Sequence, residues 1–389
     1  MAGHPDVIIV GGGIIGCFAA YYLGRHGLST VIIERDGIGS QASGNAAGIL
    51  TPYWGATTPA LRTFAEESQR LHRELAQSLP EATGIDHHYG LVPFLRVAFT
   101  GEDEGELRRW YDARRGEGHA PAWLSGDEAR RVSGGWLAPE ARAAVLSELE
   151  PQVDAYRLVL AVVKGAEALG SQIRSGEVVG VCGGKGNATG VVLADGAKVH
   201  GQAILLAMGP WSKLAGPWAG LEIPVEPQRG QIVRLSAPGP LPETALIHAQ
   251  GENYILPKIS GELLGGTTWE SAGFDPRVTP EGQTSIVEGA LRLSPRAQNA
   301  VVEGSRACLR PLSFDDHPII GLAPGWENLY VATGHGSEGI LLSTATGKHL
   351  APLMATGRSG YDLSAFSPAR SPAWPRESAP DTAGPRHGG

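Results

Sequence analysis

Cysteine is scarce in this sequence: Cys17, Cys182 and Cys308 are the three among 389 residues. So few, in odd number, exclude a disulfide framework and point to a reducing compartment, with the cytoplasm as the default. No CxxC pair or His/Cys spacing suggests zinc or a thiol–disulfide centre. Uninterrupted apolar runs of about 20 residues, the length needed to cross a bilayer, are also lacking. No charged-then-apolar leader precedes Asp6, so no signal peptide is expected. Basic residues are outnumbered, 32 Lys+Arg against 40 Asp+Glu, for a formal net charge of -8. That balance argues against a nucleic-acid partner, which needs a concentrated basic surface. Arg108, Arg109, Arg114 and Arg115 do cluster, but among Glu102, Asp103, Glu104, Glu106, Asp112 and Glu117, as on a solvated helix face.

Glycine, by contrast, is abundant, and its placement carries information. GGGIIG at 11–16 follows the apolar run Val7–Val10 and opens a helically spaced segment, Ile14–Arg25, closed by Gly27. A second apolar run, Thr30–Ile33, ends at Glu34, eighteen residues beyond Gly16. The order strand, glycine turn, helix, strand, acid is that of a dinucleotide-binding βαβ unit. Gly11 permits the tight turn, Gly13 lets backbone approach a pyrophosphate, and Gly16 lets the helix pack close to the strand. Phosphates then meet the free N–H groups and positive end of the helix, and Glu34 can accept from a ribose diol. NAD and FAD satisfy these terms equally.

Farther along, Arg62–Leu79 and Ala155–Leu169 read as amphipathic helices. Val178–Val181 with Gly190–Leu193 reads as a hairpin, and Ala203–Ala207 and Leu329–Ala332 as buried strands. Gly334-His335-Gly336 forms a turn before a helix at Ile340–Leu353. Between Ile223 and Gly273, short strands broken by Pro and Gly suggest an antiparallel sheet inserted into the nucleotide-binding domain. The small-residue run GSQASGNAAGIL at 39–50 presents backbone N–H groups without bulk, so a flat ring can lie against it. His87, His88 and His248 are candidates to face a substrate cavity but read first as ordinary exposed histidines, and Cys17 as helix packing.

These segments together resemble the D-amino-acid oxidase and glycine oxidase family of FAD-dependent oxidoreductases, with glycine-oxidase-like members most similar. The likeness spans about residues 5–356 and rests on GGGIIG, ASGNAAG, PQVDAYRL (151–158), ILLAMGPWS (204–212), PQRGQIV (227–233), YILP (254–257) and LRP…VATGHGSEGILL. In PQVDAYRL, Ala155 stands where the family usually has proline.

The resemblance implies a mixed α/β chain: a glutathione-reductase-like, Rossmann-type FAD domain (1–83, 146–222, 316–358) and an inserted antiparallel substrate domain (84–145, 223–315). Residues 359–389 are expected to be a disordered tail. Cofactor contacts are implied for Gly11, Gly13, Ile14, Ile15, Gly16, Glu34, Arg35, Ser43, Ala47, Gly48, Ile49, Val178 and Gly209. They are implied also for His335, Gly336, Ser337, Glu338, Gly339, Ile340 and Leu341. Here a turn feeding a helix N-terminus would stabilise an anionic reduced ring.

The implied chemistry is oxidation of a C–N bond in a small amino acid or secondary amine by hydride transfer to flavin N5. The imine then hydrolyses, and O2 reoxidises the flavin to give hydrogen peroxide. Arg310 matches the family's carboxylate-binding arginine; by residue type alone it could instead pair with Asp315 or Asp316. Tyr254 matches a tyrosine of the substrate pocket, and Cys308 stands where some relatives carry a thioether to flavin. Ser337 and Glu338 replace the basic residue that many relatives have after the turn, so glycine itself is not implied as substrate. Lys258 is not assigned an oxygen-activating role. The same fold also accommodates a dehydrogenase that passes electrons to a quinone or carrier protein, or a non-catalytic FAD-binding protein. A homo-oligomer is compatible with all of these.

Overall fold

A computed structural model describes residues 4–53, 58–184, 186–251 and 253–370. Val7–Val10 is the centre of a six-stranded sheet whose order is Ile319–Leu322, Leu329–Thr333, Ala203–Leu206, Val7–Val10, Thr30–Glu34, Gln172–Ser175. All neighbours are parallel except the edge pair Ile319–Leu322 and Leu329–Thr333. Alternation explains the unbroken apolar run. Val7 and Ile9 face a core shared with Phe18, Phe64, Val162 and Leu342, while Ile8 and Val10 face the opposite side with Val191, Ile204 and Val331. Helices Ile14–Arg25, Pro59–Thr83, Ala155–Ala168 and Gly339–Thr356 cover the first face. The small sheet Val178–Gly184, Asn187–Leu193, Lys198–His200 covers the second, its first two strands forming the expected hairpin.

The second sheet has eight strands, ordered Val301–Ser313, Val225–Ser236, Leu263–Gly266, Tyr254–Pro257, Ala245–His248, Gly90–Ala98, Ala143–Gln152, Ala122–Ser125. Its pairs are antiparallel apart from Ala245–His248 beside Gly90–Ala98. Helix Pro280–Leu293 packs on one face through Ile286, Ala290 and Leu293. The other face, with Ile232, Tyr254 and Leu264, meets Ala47 and Ile49 of the small-residue loop.

Three expectations need correction. Val225–Ser236 is a single twelve-residue strand, because Pro227 and Gly230 are tolerated within its long pairing to Val301–Ser313. Ala143–Gln152 runs across the expected boundary at 145/146 and belongs wholly to the second sheet. The expected tail, 359–389, is ordered over its described part. Ser364–Phe366 and Pro368–Arg370 form short turns, and Phe366 is fully buried with its ring 4.8 Å from that of Phe64. Arg370 pairs with Asp315 at 2.9 Å. A Pro/Ser-rich average hid these anchors, and residues 371–389 of that expectation lie outside the described residues. Helix ends also extend past the periodic pattern: Pro59–Thr83 begins on a Thr58 cap and stops at left-handed Gly84. Among the described residues, no helix is long and apolar enough to cross a membrane.

Because Phe366 is fully buried against Phe64, Phe366→Ala should destabilise the fold by about 3–5 kcal/mol, as buried Phe truncations do. Urea unfolding checks this; an unchanged midpoint would mean that the turn contributes nothing to the core.

Candidate functional site

One elongated cavity runs from the glycine turn to the second sheet, with about 340 Å³ accessible to the centre of a water molecule. Gly11, Gly13, Ile14, Ile15, Glu34, Arg35, Ser43, Ala47, Gly48, Ile49, Val178 and Gly209 all line it, as do the residues from His335 to Ile340. Gly16 and Leu341 do not. A Cβ at Gly16 would sit 2.1 Å from the Gly11 carbonyl, so this glycine serves helix–strand packing. Leu341 is buried in the core, and its carbonyl accepts from Ser68.

At the glycine turn the backbone is shaped for close approach. Gly11 has φ 110, and a Cβ there would lie 2.4 Å from the Ala207 carbonyl oxygen. Helix Ile14–Arg25 has no side-chain cap at Gly13, although Ser43 Oγ accepts from the Ile14 N–H at 2.9 Å. Glu34 is fixed by its neighbours' backbone: Gly12 N–H donates to it at 2.7 Å and Asp36 N–H at 2.9 Å. Its carboxylate therefore stands at the cavity wall with lone pairs to spare for a diol. Arg35 lies over the Trp211 ring at 4.5 Å, and Trp211, which the sequence did not single out, also lines the cavity.

The loop at 47–50 is stitched to the segment 151–153. Leu50 N–H donates to the Pro151 carbonyl at 2.9 Å, and Val153 N–H donates to the Gly48 carbonyl at 2.8 Å. Gly48 has φ 77, and a Cβ would meet the Val153 carbonyl oxygen at 2.1 Å. Lys258 Nζ donates to the Ala47 and Val153 carbonyls at 2.7 and 2.8 Å. Burial pushes this lysine down to about 7. Its clamping role was not legible from the sequence, though a lysine ending the buried strand YILP was the available signal. Asp154 caps helix Ala155–Ala168 by accepting from Arg157 N–H, which gives PQVDAYRL a structural function as well.

At the far end, the helix Gly339–Thr356 begins at the cavity wall, which Gly339 and Ile340 line, and its N-terminus has no side-chain cap. His72 Nε2 donates to the Ile340 and Leu341 carbonyls at 2.9 and 3.1 Å, and Ser68 bonds Leu341 and Thr344. Burial pushes His72 down to about 4 and His335 to about 3, so both rings are neutral. His335 rests on Thr346 at 3.1 Å. The sequence reading of exposed histidines is corrected for two of the three: His87 and His248 are buried, His248 lies 3.4 Å from Asp103, and none of His87, His88 and His248 lines the cavity.

The second sheet supplies the opposite wall: Gly230, Tyr254, Thr267, Trp269, Cys308 and Arg310. Arg310 donates to the Thr268 carbonyl at 3.0 Å and to Thr267 Oγ1 at 2.9 Å, and its guanidinium lies over the Trp269 ring at 4.2 Å. A Cβ at Gly230 would fall 2.2 Å from that guanidinium, and one at Gly266 would fall 2.2 Å from the Tyr254 ring. Both glycines thus make room for the side chains above them. Among the described residues no carboxylate forms a salt bridge with Arg310; Asp315, the alternative partner, is taken by Arg370. Behind this layer Glu270 accepts from Thr268, Gln231 and Arg229, bonds that hold its carboxyl below the usual range against the upward push of burial. Burial raises the Tyr254 hydroxyl and the Cys308 thiol, so both are protonated. Burial also pushes Glu338 up to about 7, opposed by a hydrogen bond from Ser337 and by Arg310.

Comparison with known proteins adds to this geometry. Residues 6–353 match the family described as FAD dependent oxidoreductase, DAO. The chain belongs to this DAO family. A curated relative, glycine oxidase from Geobacillus kaustophilus, is 34% identical, covering 95% of this chain and 98% of its own. The crystal structure of glycine oxidase from Geobacillus kaustophilus superposes with a TM-score of 0.90 at 32% identity, covering 95% and 99%. The crystal structure of iminodiacetate oxidase from Chelativorans sp. BNC1 gives 0.83 at 26%, covering 93% and 98%.

This DAO-family protein is an FAD-dependent amine or amino-acid oxidase, and FAD is its cofactor. The cavity fits that group: the turn at Gly11, the cradle at Gly48 and the anchored Glu34 carboxylate suit a dinucleotide, and the uncapped helix at Gly339 suits an electron-rich ring edge. Among the described residues no group of three or more His, Cys, Asp or Glu could hold a metal. Losing the charged hydrogen bonds of Glu34 should cost about 1.5–3 kcal/mol. Glu34→Ala should therefore weaken FAD binding roughly 10- to 100-fold in a titration of apoprotein, and unaltered affinity would place the ribose elsewhere.

Proposed function

We propose that this enzyme dehydrogenates a small amino acid or secondary amine whose carboxylate is held by Arg310. The observation that carries this reading is a buried, stacked guanidinium that lines the cavity and, among the described residues, forms no salt bridge. Bound in the cavity, FAD supplies the acceptor for the hydride leaving the carbon next to nitrogen. Arg310 contributes position. Two of its N–H groups are committed to Thr268 and Thr267, and the planar guanidinium fork keeps further donors for a carboxylate. Trp269 and Thr267 keep that fork from swinging, while Tyr254 and Cys308, both protonated, line the wall as neutral groups. The imine is released to water and hydrolyses there, and O2 is the acceptor that returns the flavin to its oxidised form, giving hydrogen peroxide. A reducing cytoplasm suits three free cysteines, two of them buried.

Anaerobic mixing with glycine, sarcosine, D-amino acids and larger amines tests the activity. Loss of the oxidised flavin band is expected with a carboxylate-bearing amine; a panel that leaves the band intact would sink the proposal. One mole of peroxide per mole of substrate separates an oxidase from a dehydrogenase that uses a quinone.

Removing one partner of a buried charged pair costs about 2–5 kcal/mol. Arg310→Ala should therefore raise KM at least roughly 30-fold with the flavin spectrum intact, and Arg310→Lys should not restore it because a point charge lacks the fork. An unchanged KM would assign the arginine to structure. A protonated Cys308 thiol is a poor nucleophile, so acid precipitation should leave the flavin in the supernatant.

A further inference from the structure

Beside Arg310 the cavity wall carries a further charged group, on the turn that feeds the late helix. Glu338 sits on the turn Gly336–Glu338, directly before the helix Gly339–Thr356, and lines the same cavity as Arg310, to which it is electrostatically coupled. Glu338 interacts with Ser337, whose hydroxyl donates to it, and with Arg310. The second sheet also brings the protonated Cys308 and Tyr254 to this cavity, and the turn itself brings the neutral His335. Arg310 is the only cation among them. Taken as a pair, apart from Glu34 and Arg35 at the glycine turn of the same cavity, an ionised Glu338 cancels Arg310, and an amino acid entering as an anion would leave the pair with one uncompensated negative charge. A zwitterion leaves it neutral.

We propose that the substrate binds as a zwitterion, carboxylate to Arg310, and that Glu338 accepts the proton from its ammonium group. In that step an N–H bond of the ammonium breaks and an O–H bond forms on the Glu338 carboxylate. The electron pair of the broken bond stays on nitrogen, and nothing is oxidised or reduced. The amine is then neutral, as loss of hydride from the adjacent carbon requires, and the only charges left at this pair are the substrate carboxylate and the Arg310 guanidinium. The proton leaves to water when the product departs. This assignment rests on the amino-acid reading of the site.

The test begins with a ligand that carries the carboxylate but no amine. Acetate is titrated calorimetrically into FAD-loaded protein at pH 8 in two buffers of different ionisation enthalpy. Acetate brings a negative charge and no proton, so its binding should draw close to one proton per ligand onto Glu338. E338Q should take up none. It should also bind acetate about tenfold more tightly at pH 8, because a carboxyl that titrates near 7 must first be protonated in the native protein. E338D, which keeps a carboxylate on the turn, should retain uptake. In anaerobic flavin bleaching with an amino acid, the acidic limb of the rate profile should lie near pH 7 in the native enzyme. In E338Q it should move up toward the range of the ammonium group itself.

Absence of proton uptake by the native protein overturns the proposal without any variant. So does uptake that persists in E338Q, or an acidic limb that E338Q leaves in place. Bleaching confined to amino acids with a second cationic group, with no uptake on acetate, would make Glu338 a specificity contact instead. Failure of the underlying reading looks different: no amine bleaches the flavin in any of the proteins, whatever acetate does.

Discussion

Everything at the centre of this molecule depends on the close passage of two strands of backbone, where Gly48 lies against Val153. A Cβ at Gly48 would be 2.1 Å from the Val153 carbonyl oxygen, and the two residues are tied by a 2.8 Å hydrogen bond. The loop before it belongs to the nucleotide-binding side, and the strand before Val153 belongs to the eight-stranded sheet. This is therefore where the two sheets are held in mutual register. Lys258 reinforces the seam from the second sheet by donating to carbonyls on both segments. Burying an amine here without a salt bridge among the described residues is tolerated because burial lowers its affinity for a proton, down to about 7, and its donors are used.

Much of the nucleotide-binding half was legible because its signals are local. Val7–Val10, the glycine turn and Glu34 fall within thirty residues, and each reports a backbone requirement that residue type alone satisfies. The late turn at 334–336 was visible for the same reason. The second sheet was less legible. Val301–Ser313 and Val225–Ser236 pair over their whole lengths, yet Pro, Gly and Arg interrupt both, because Gly230 must clear the Arg310 guanidinium rather than fill a core. Those departures from strand composition mark where the sheet serves the cavity.

Other features escaped because they are relations between distant residues. Ser68 and His72 belong to a helix that reads as ordinary amphipathic structure, but they grip the first turn of Gly339–Thr356. Nothing in their own neighbourhood announces that. Trp269 is similar: an isolated aromatic in sequence, it becomes the platform for Arg310. Glu338 was visible as a departure from the expected basic residue, but its meaning required the knowledge that Arg310 shares its cavity.

The order of strands in the first sheet has a consequence for biosynthesis. Val7–Val10 leaves the ribosome well before one of its two neighbours, Ala203–Leu206, which follows nearly two hundred residues later. At roughly 5–20 residues per second, that edge of the nascent βαβ unit waits about 10–40 s for its partner. During that interval an apolar strand is open on one side, so the growing chain is a natural client for chaperones that shield unpaired edges.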